Sequence, residues 1–202
     1  MKGNAIWLAT ADTADGNAKK AAAIRETDRV PALPGFGKAL ATNRYAAFSV
    51  SRYLLEADLE RLPETVPDVP DVPTPEASES LLARKRSEFR QTGVSDPVLT
   101  APILYTVRFK VPQAFHEEFE AWYDQEHIPM ILECPDWAGS ARYSFENSDW
   151  THLAMHFVTS ADALDSPAMR AARKTPWRDK FLEHDWFGKV DKSFHFRENP
   201  PA

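Results

Sequence analysis

The clearest hydrophobic patterns lie in the second half of the chain. Apolar side chains alternate with polar ones from Ile103 to Phe109, which is typical of a β-strand with one buried face. Over residues 112–126 the aromatic positions recur every three or four residues, as on one stripe of an amphipathic helix. Pro129 disfavours the helical conformation at the residue before it, so this helix is predicted to end near His127.

The rest of this half continues an alternation of strands and helices. Strands are predicted at 138–145 and 152–158. Ser166 followed by Pro167 is typical of a helix start, and this helix is expected to break near Pro176. A last strand is predicted at 190–196. The order strand, helix, strand, strand, helix, strand indicates a split βαβ, or ferredoxin-like, unit.

The first half fits the same order less clearly. It predicts strands and helices over the following ranges: strands at 5–11, 41–48 and 53–59, and helices at 17–28 and 78–89. Its last strand would fall near residues 92–98, whose sequence favours a short, irregular or lost strand. The segment 63–75 holds five prolines in thirteen residues, so it is interpreted as an extended surface connection, with a lid as the alternative.

The two halves resemble each other at a fixed spacing of 98 residues. Four ungapped matches carry the resemblance: 6–8 with 104–106, 28–31 with 126–129, 44–45 with 142–143, and 55–59 with 153–157. We interpret the chain as two tandem repeats, 1–98 and 99–202. The second repeat has His127, His152 and His156 where the first has Arg29, Leu54 and Asp58. The second repeat is therefore the expected active half, and the first is considered degenerate.

Composition narrows the class of protein. The chain has 202 residues, 43% hydrophobic and 27% charged, which is typical of a soluble globular protein. Its net charge of -6 argues against nucleic-acid binding, and no apolar run is long enough to span a membrane. A single cysteine, Cys134, excludes an internal disulfide and fits a reducing compartment, so we expect a cytoplasmic protein. No glycine-rich phosphate loop is present.

Residues 118–129, with the sequence EFEAWYDQEHIP, resemble the helix-to-turn segment of EthD-like proteins. The resemblance extends through a turn with Pro135 and Trp137 to the pair Arg142 and Tyr143. EthD-like proteins belong to the dimeric α+β barrel superfamily. The resemblance implies an α+β fold in which two ferredoxin-like units form a barrel, here within one polypeptide. Relatives of this kind include cofactor-free isomerases, polyketide cyclases, small monooxygenases and haem-dependent enzymes.

The resemblance also implies a site. In several relatives a cleft between sheet and helices holds a hydrophobic cyclic ligand, and a histidine at the helix end works with polar strand residues. Transferred to this sequence, that histidine is His127, with Arg142 and Tyr143 as companions. Histidine titrates near neutral pH and can serve as general acid or base. Asp124 or Glu126 is expected to orient it.

His152 and His156 are candidates for a second proton-transfer group. They alternate with apolar residues on their strand. If that apolar face meets the helices, both histidines point into the barrel, and Arg108 and Arg142 are candidates for the same interior. Four residues of strand separate them by about 13 Å, which is too far to chelate one metal ion together. No metal site is expected.

Substrate contacts are expected from one arginine and several aromatic residues: Arg108, Tyr105, Trp122, Tyr123 and Trp137. Aromatic walls suit an aromatic ligand. The leading hypothesis is a cofactor-independent lyase, isomerase or cyclase that moves protons on a small hydrophobic cyclic or aromatic compound. The alternatives are a non-catalytic ligand-binding protein and a cofactor-free or haem-dependent oxygenase. We expect a monomer or a homodimer.

Overall fold

The computed structural model describes residues 5–12, 41–46, 50–57, 79–94, 101–145 and 148–197. The predicted helix at 17–28, the proline-rich segment 63–75 and residues 95–98 lie outside these ranges. The described strands are β1 Ala5–Asp12, β2 Ala41–Ala46, β3 Val50–Ala57, β4 Glu79–Arg90, β5 Ile103–Phe109, β6 Trp137–Phe145, β7 His152–Val158 and β8 Asp191–Arg197.

Helices connect β5 to β6 and β7 to β8. The first connection contains a 3-10 turn Gln113–Phe115, helix α1 His116–Trp122, a π-helical turn Tyr123–His127 and helix α2 Ile128–Ile131. The second contains a 3-10 turn Ala161–Asp165 and helices α3 Pro167–Ala172, α4 Pro176–Leu182 and α5 Asp185–Gly188. Ser166 caps α3 by accepting a hydrogen bond from the Met169 amide, which confirms the predicted helix start.

All described strand pairs are antiparallel. The strand order is β1-β3-β2-β8-β5-β7-β6-β4, and it closes on itself because β4 also pairs with β1. The pairs β4–β6 and β2–β8 join the first four strands to the last four. Within the second half, the order β8-β5-β7-β6 with two helical connections is that of the predicted split βαβ unit.

The helix predicted at 78–89 is wrong, because these residues form β4. Their sequence is rich in good helix formers, but the backbone pairs on one side with β1 and on the other with β6. Ala83 is completely buried and Ser87 follows a register shift, so the strand is fixed by its neighbours rather than by propensity. The last strand of the first half thus comes earlier than 92–98, and Gly93 lies in a turn with a φ of 85°.

Strand register corrects one of the four sequence matches. β1 pairs Leu8 with Leu54, whereas β5 pairs Thr106 with Met155. Leu54 in the first half is therefore structurally equivalent to Met155 in the second half. A spacing of 98 residues would make it equivalent to His152. A slip of this kind by an odd number of residues exchanges the two faces of a strand. The match of 55–59 with 153–157 does not hold in the structure.

The helix at the end of the first connection continues beyond His127. Ile128 keeps helical angles, with φ −66° and ψ −46°, and its amide donates to the Tyr123 carbonyl five residues earlier. This bond belongs to the wider π turn. Pro129 then falls in the first turn of α2, where its missing amide hydrogen leaves no bond unmade.

The strands have two buried faces, and the second-half histidines lie on the one that meets the helices. Leu153, Met155 and Phe157 pack with Leu104 and Tyr143 on the face away from the helices. His152 and His156 lie on the opposite face, with Ala154. The condition under which both histidines would point into the barrel is therefore not met, because the apolar side chains lie on the face away from the helices.

Candidate functional site

A cavity lies between the helices and the helix-facing side of β5, β7 and β8. The space open to water-sized molecules is about 80 Å³. Aromatic rings form much of its wall: Tyr105, Phe109, Trp122, Tyr123 and Phe187. Its polar or charged lining includes His127, His156, Arg173, Arg178 and Lys192. An aromatic wall with a few convergent polar groups is typical of a small-molecule site.

The aromatic wall follows from strand alternation and the helix. Tyr105 and Phe109 share one face of β5, and Tyr105 stacks on Phe194 of β8 with ring centres 4.7 Å apart. Trp122 and Tyr123 end α1 and begin the π turn, with their rings edge to face at 4.8 Å. These contacts hold the rings in place, so the wall is preformed.

His127 is the most distinctive polar group of the cavity. It is 7% exposed, and its ring packs against Trp122 at 4.8 Å and Tyr123 at 5.0 Å. Nδ1 has no hydrogen-bond partner, so the bond that the ring makes to the Ala172 backbone uses Nε2. Burial, followed by the charge of Arg178, lowers the pKa of His127 to about 3. The imidazole is therefore neutral, with an uncommitted lone pair on Nδ1.

His156 faces the same cavity and belongs to a short hydrogen-bond chain. Trp137 Nε1 donates to Ser140 Oγ at 3.2 Å, and Ser140 Oγ lies 2.8 Å from His156 Nδ1. The Ser140 oxygen accepts from Trp137, so its hydroxyl hydrogen is available to donate to His156 Nδ1. The proton of the neutral His156 ring is then on Nε2. Burial first, and the neighbouring His127 next, lower the pKa of His156 to about 3.

Two tyrosine hydroxyls add hydrogen-bond donors. Tyr105 and Tyr123 are both buried and line the cavity, and no hydrogen bond of either hydroxyl occurs within the described ranges. Burial raises the pKa of both side chains. The hydroxyls therefore stay protonated and can donate to a ligand oxygen.

Three cations converge on the cavity from separate elements. Arg173 follows α3, Arg178 lies in α4 and Lys192 lies in β8. Arg178 Nη1 donates to the Arg173 carbonyl at 3.0 Å, and its guanidinium lies 5.4 Å from the Phe187 ring centre. Partial burial of the charged groups, followed by repulsion from Arg173, lowers the pKa of both Arg178 and Lys192.

The acids expected to orient His127 are committed elsewhere. Asp124 Oδ1 accepts hydrogen bonds from Arg142 Nη1 at 2.7 Å and from Ser87 Oγ at 2.8 Å. Glu126 accepts from Trp122 Nε1 at 3.0 Å. The expectation that Asp124 or Glu126 fixes the His127 tautomer is therefore wrong, because the Ala172 backbone fills that role.

His152 belongs to a different cluster, with no place in the cavity wall. Its Nδ1 lies 2.9 Å from Thr151 Oγ1, and its Nε2 lies 3.4 Å from Glu120 Oε1. Burial, followed by the charge of His116, lowers its pKa to about 3. The ring is therefore neutral, and its contact with Glu120 is not an ion pair.

Three further predicted residues do not line the cavity. Tyr143 is fully buried on the face away from the helices, and Arg108 binds Asp191 at 2.8 Å on the same side of β5 as Leu104. Arg142, by contrast, faces the helices and binds Asp124. The expectation that Arg108 and Arg142 share one interior is wrong, because their side chains lie on opposite faces of the strands.

Sequence reasoning missed the three cations. Lys192 carried a usable signal, since by alternation it shares the face of Val190 and Phe194, both apolar. A charged residue on an apolar strand face points to a site. Arg173 and Arg178 carried no comparable signal, because exposed cations near helix ends are common.

Among the described residues no group of three or more histidine, cysteine or acidic side chains is placed to hold a metal ion. In the same part of the chain, no helix combines the length and the apolar character that crossing a membrane requires.

The strand order and helical connections define an α+β fold of the ferredoxin-like class, and solved structures share it. An anthrone oxidase-like protein has a TM-score of 0.63 at 10% identity, over 98% of this chain and 93% of that one. A ferredoxin-fold protein of Listeria monocytogenes, related to antibiotic biosynthesis monooxygenases, has a TM-score of 0.55 at 11% identity, over 97% and 96% of the two chains.

A heme-degrading enzyme from Listeria monocytogenes has a TM-score of 0.50 at 8% identity, over 96% of this chain and 99% of that one. At such identities the likeness concerns the fold. No protein-family model matches the sequence, and no curated protein matches it.

Proposed function

We propose that this protein is a cofactor-independent oxygenase that acts on a small, electron-rich phenol in the cavity beside His127. The observation that carries the proposal is the neutral, buried imidazole with an uncommitted Nδ1 in an aromatic cavity. The similar folds include proteins described as monooxygenase-related and anthrone oxidase-like, which supports oxygenase chemistry over the lyase or isomerase alternative.

His127 is the base in this mechanism. The phenol hydroxyl donates to Nδ1, and proton transfer between two neutral groups creates an ion pair without adding net charge to the site. The phenolate forms near the hydroxyls of Tyr105 and Tyr123, which can donate hydrogen bonds to a negative oxygen. The pKa of about 3 keeps His127 unprotonated at neutral pH but also makes it a weak base, so the transfer depends on stabilisation of the phenolate by the tyrosine hydroxyls.

The substrate supplies the electrons that reduce O2. Oxygen adds to a ring carbon of the phenolate, which forms a C–O bond and gives a ring hydroperoxide after protonation. The O–O bond then breaks as water leaves together with the hydrogen of that carbon. One phenol and one O2 give one quinone and one water, so atoms and electrons balance. His156 Nε2 is the group that returns a proton to the leaving oxygen.

Haem does not fit this cavity. The enclosed space of about 80 Å³ is much smaller than the pocket of several hundred Å³ that a large ligand such as haem needs. His127, a histidine of the cavity wall, packs against Trp122 and Tyr123, so these rings stand where a haem bound to it would lie. No step of the proposed reaction passes through haem.

We also propose that the chain is a tandem form of the EthD-like, dimeric α+β barrel architecture, with repeats 1–98 and 99–202. The exchange of β4 and β8 between halves supports this, since Ser144 pairs with Arg84 and Ala46 pairs with Phe196. Ala46 and Ser144 are the matching positions of β2 and β6. The described cavity lies wholly in the second repeat.

Oxygen uptake tests the function directly. A panel of one-ring phenols is incubated with the wild type and with His127→Gln, while an oxygen electrode and mass spectrometry follow the reaction. When the reaction is run in ¹⁸O-labelled O2, we expect oxygen uptake and one labelled oxygen atom in the product. The rate of uptake should fall about 10²-fold or more in His127→Gln. His152→Gln is the matched control, because His152 is equally buried but lies outside the cavity.

Three outcomes contradict the proposal. Substrate consumption that continues without oxygen would instead establish the lyase or isomerase alternative. Full activity of His127→Gln would remove the proposed base. Binding of phenols without any turnover would favour the non-catalytic alternative.

A further inference from the structure

We propose that the ligand of this cavity is an aromatic carboxylate, bound with its ring against the aromatic wall and its carboxylate at the mouth between Arg173, Arg178 and Lys192. This inference rests on the proposed function for the identity of the site, and it goes further by naming the charge and orientation of the substrate. The observations that carry it concern the placement of these three cations.

The three cations form no close ion pair in the part of the chain that the structure describes. No described carboxylate forms an ion pair with Arg173, Arg178 or Lys192 within 4.0 Å. Other described arginines of this half are paired: Arg108 with Asp191, Arg142 with Asp124 and Arg170 with Asp165. Asp179 interacts favourably with Arg178, but Arg173, Arg178 and Lys192 still repel one another, so an anion between them lowers the electrostatic energy of the site.

The guanidinium of Arg178 is held in position for such an anion. One of its nitrogens donates to the Arg173 carbonyl, and its plane lies near the Phe187 ring, which also lines the cavity. The remaining N–H groups stay available. A fixed guanidinium matches the two oxygens of a carboxylate with parallel hydrogen bonds.

The difference in burial between the aromatic wall and the three cations indicates how the ligand is oriented. The aromatic wall and His127 are buried, whereas Arg173 and Lys192 are exposed and Arg178 is half-buried. The cavity is therefore apolar at depth and cationic at its mouth. A ligand with a ring at one end and a carboxylate at the other matches this gradient, with a hydroxyl on the ring directed towards the buried end that holds His127.

Binding without turnover tests the inference. Calorimetry under nitrogen compares 4-hydroxybenzoate with its uncharged methyl ester. We expect the acid to bind about tenfold or more tightly than the ester. We expect the preference to fall when salt rises from about 0.05 M to about 0.5 M. Arg178→Gln and Lys192→Gln should each reduce the preference, and the double variant should abolish it.

Nearby exposed lysines provide matched controls. Lys174 follows Arg173 and Lys189 precedes Val190, but neither lines the cavity. Lys174→Gln and Lys189→Gln should keep the preference of the wild type. Because Lys192 is exposed, its substitution leaves folding intact, which a thermal melt of each variant checks.

The failures of the two proposals are distinguishable. Equal binding of acid and ester, absence of binding by both, or a preference that survives in the double variant would overturn the carboxylate inference. Oxygen uptake as fast with the ester as with the acid would overturn it while leaving the oxygenase proposal standing. Preferred binding of the acid without any oxygen uptake would support the inference and contradict the oxygenase proposal.

Discussion

Arg142 Nη1 lies 2.7 Å from Asp124 Oδ1, so the acid of the π turn binds the sheet and not the cavity histidine three residues later. Ser87 of β4 donates to the same oxygen at 2.8 Å. Arg142 Nη1 also donates to the Glu120 carbonyl at 3.0 Å. Asp124 thus joins the helical layer to two neighbouring strands, β4 and β6. These bonds fix the position of the π turn, which carries His127, relative to the sheet.

Replacement of Asp124 is therefore expected to reduce stability more than chemistry. Asp124→Asn leaves the Arg142 side chain, 3% exposed, without its anion. Loss of one partner of a fully buried pair costs about 3–5 kcal/mol, and because the Asp124 side chain is 33% exposed we expect about 2 kcal/mol. Urea unfolding measures the loss, with Glu118→Gln on the exposed side of α1 as control. A change below about 0.5 kcal/mol would show that the pair does not anchor the turn.

Buried neutral histidines make the stability of the protein depend on pH. The pKa values of His127, His152 and His156 are each lowered to about 3 by burial, whereas in the unfolded chain they return to about 6.5. Below pH 6.5 the unfolded chain therefore binds protons that the native protein does not. Stability is complete above that pH and declines as the pH falls towards 3.

The slope of this decline is the measurable quantity. Each such histidine contributes up to about 1.4 kcal/mol per pH unit, and the interval from about pH 6 to about pH 5 avoids the acidic side chains. Urea unfolding of the wild type should show a steep loss over that interval. The slope of His152→Gln should be shallower by about 1 kcal/mol per pH unit, and an equal slope would mean that His152 is protonated in the native protein.

The sequence predicted the second half well because local pattern and tertiary environment agree there. The alternation of β5, the stripe of α1 and the cap at Ser166 all correspond to structure. It failed at β4, where Leu-, Ala-, Arg- and Lys-rich sequence favours a helix and only pairing with distant strands decides the outcome. Non-local pairing leaves little trace in one sequence.

In the candidate site, too, local sequence features were predicted and contacts between distant segments were not. His127 and the aromatic residues were found because they belong to a recognisable local segment. The partner of Asp124 was missed because Arg142 comes from β6, and helical spacing alone suggested His127. The faces of His152 and His156 could be predicted only conditionally, because alternation separates two faces but does not reveal which one meets the helices.

The strand identity of β4 can be tested by its packing. Ala83 is completely buried with Tyr143 and Phe145 on the face away from the helices. Ala83→Leu should destabilise the protein by about 1–3 kcal/mol, because the added carbons have no space. Arg86→Ala, on the exposed side of the same strand, should change stability by less than about 1 kcal/mol. Equal effects in urea unfolding would contradict the packing of β4.

Ser140 is expected to act as a positioning residue for His156. Ser140→Ala leaves Trp137 Nε1 and His156 Nδ1 without their shared partner, so the tautomer and orientation of His156 are no longer fixed. Since the ring would still line the cavity, we expect KM for the phenol to change little, while kcat falls about tenfold. Ser140→Thr retains the hydroxyl and should restore most of kcat. A purely structural role would lower the stability of Ser140→Ala and leave its kcat at the wild-type value, and this outcome would remove His156 from the proposed proton transfer.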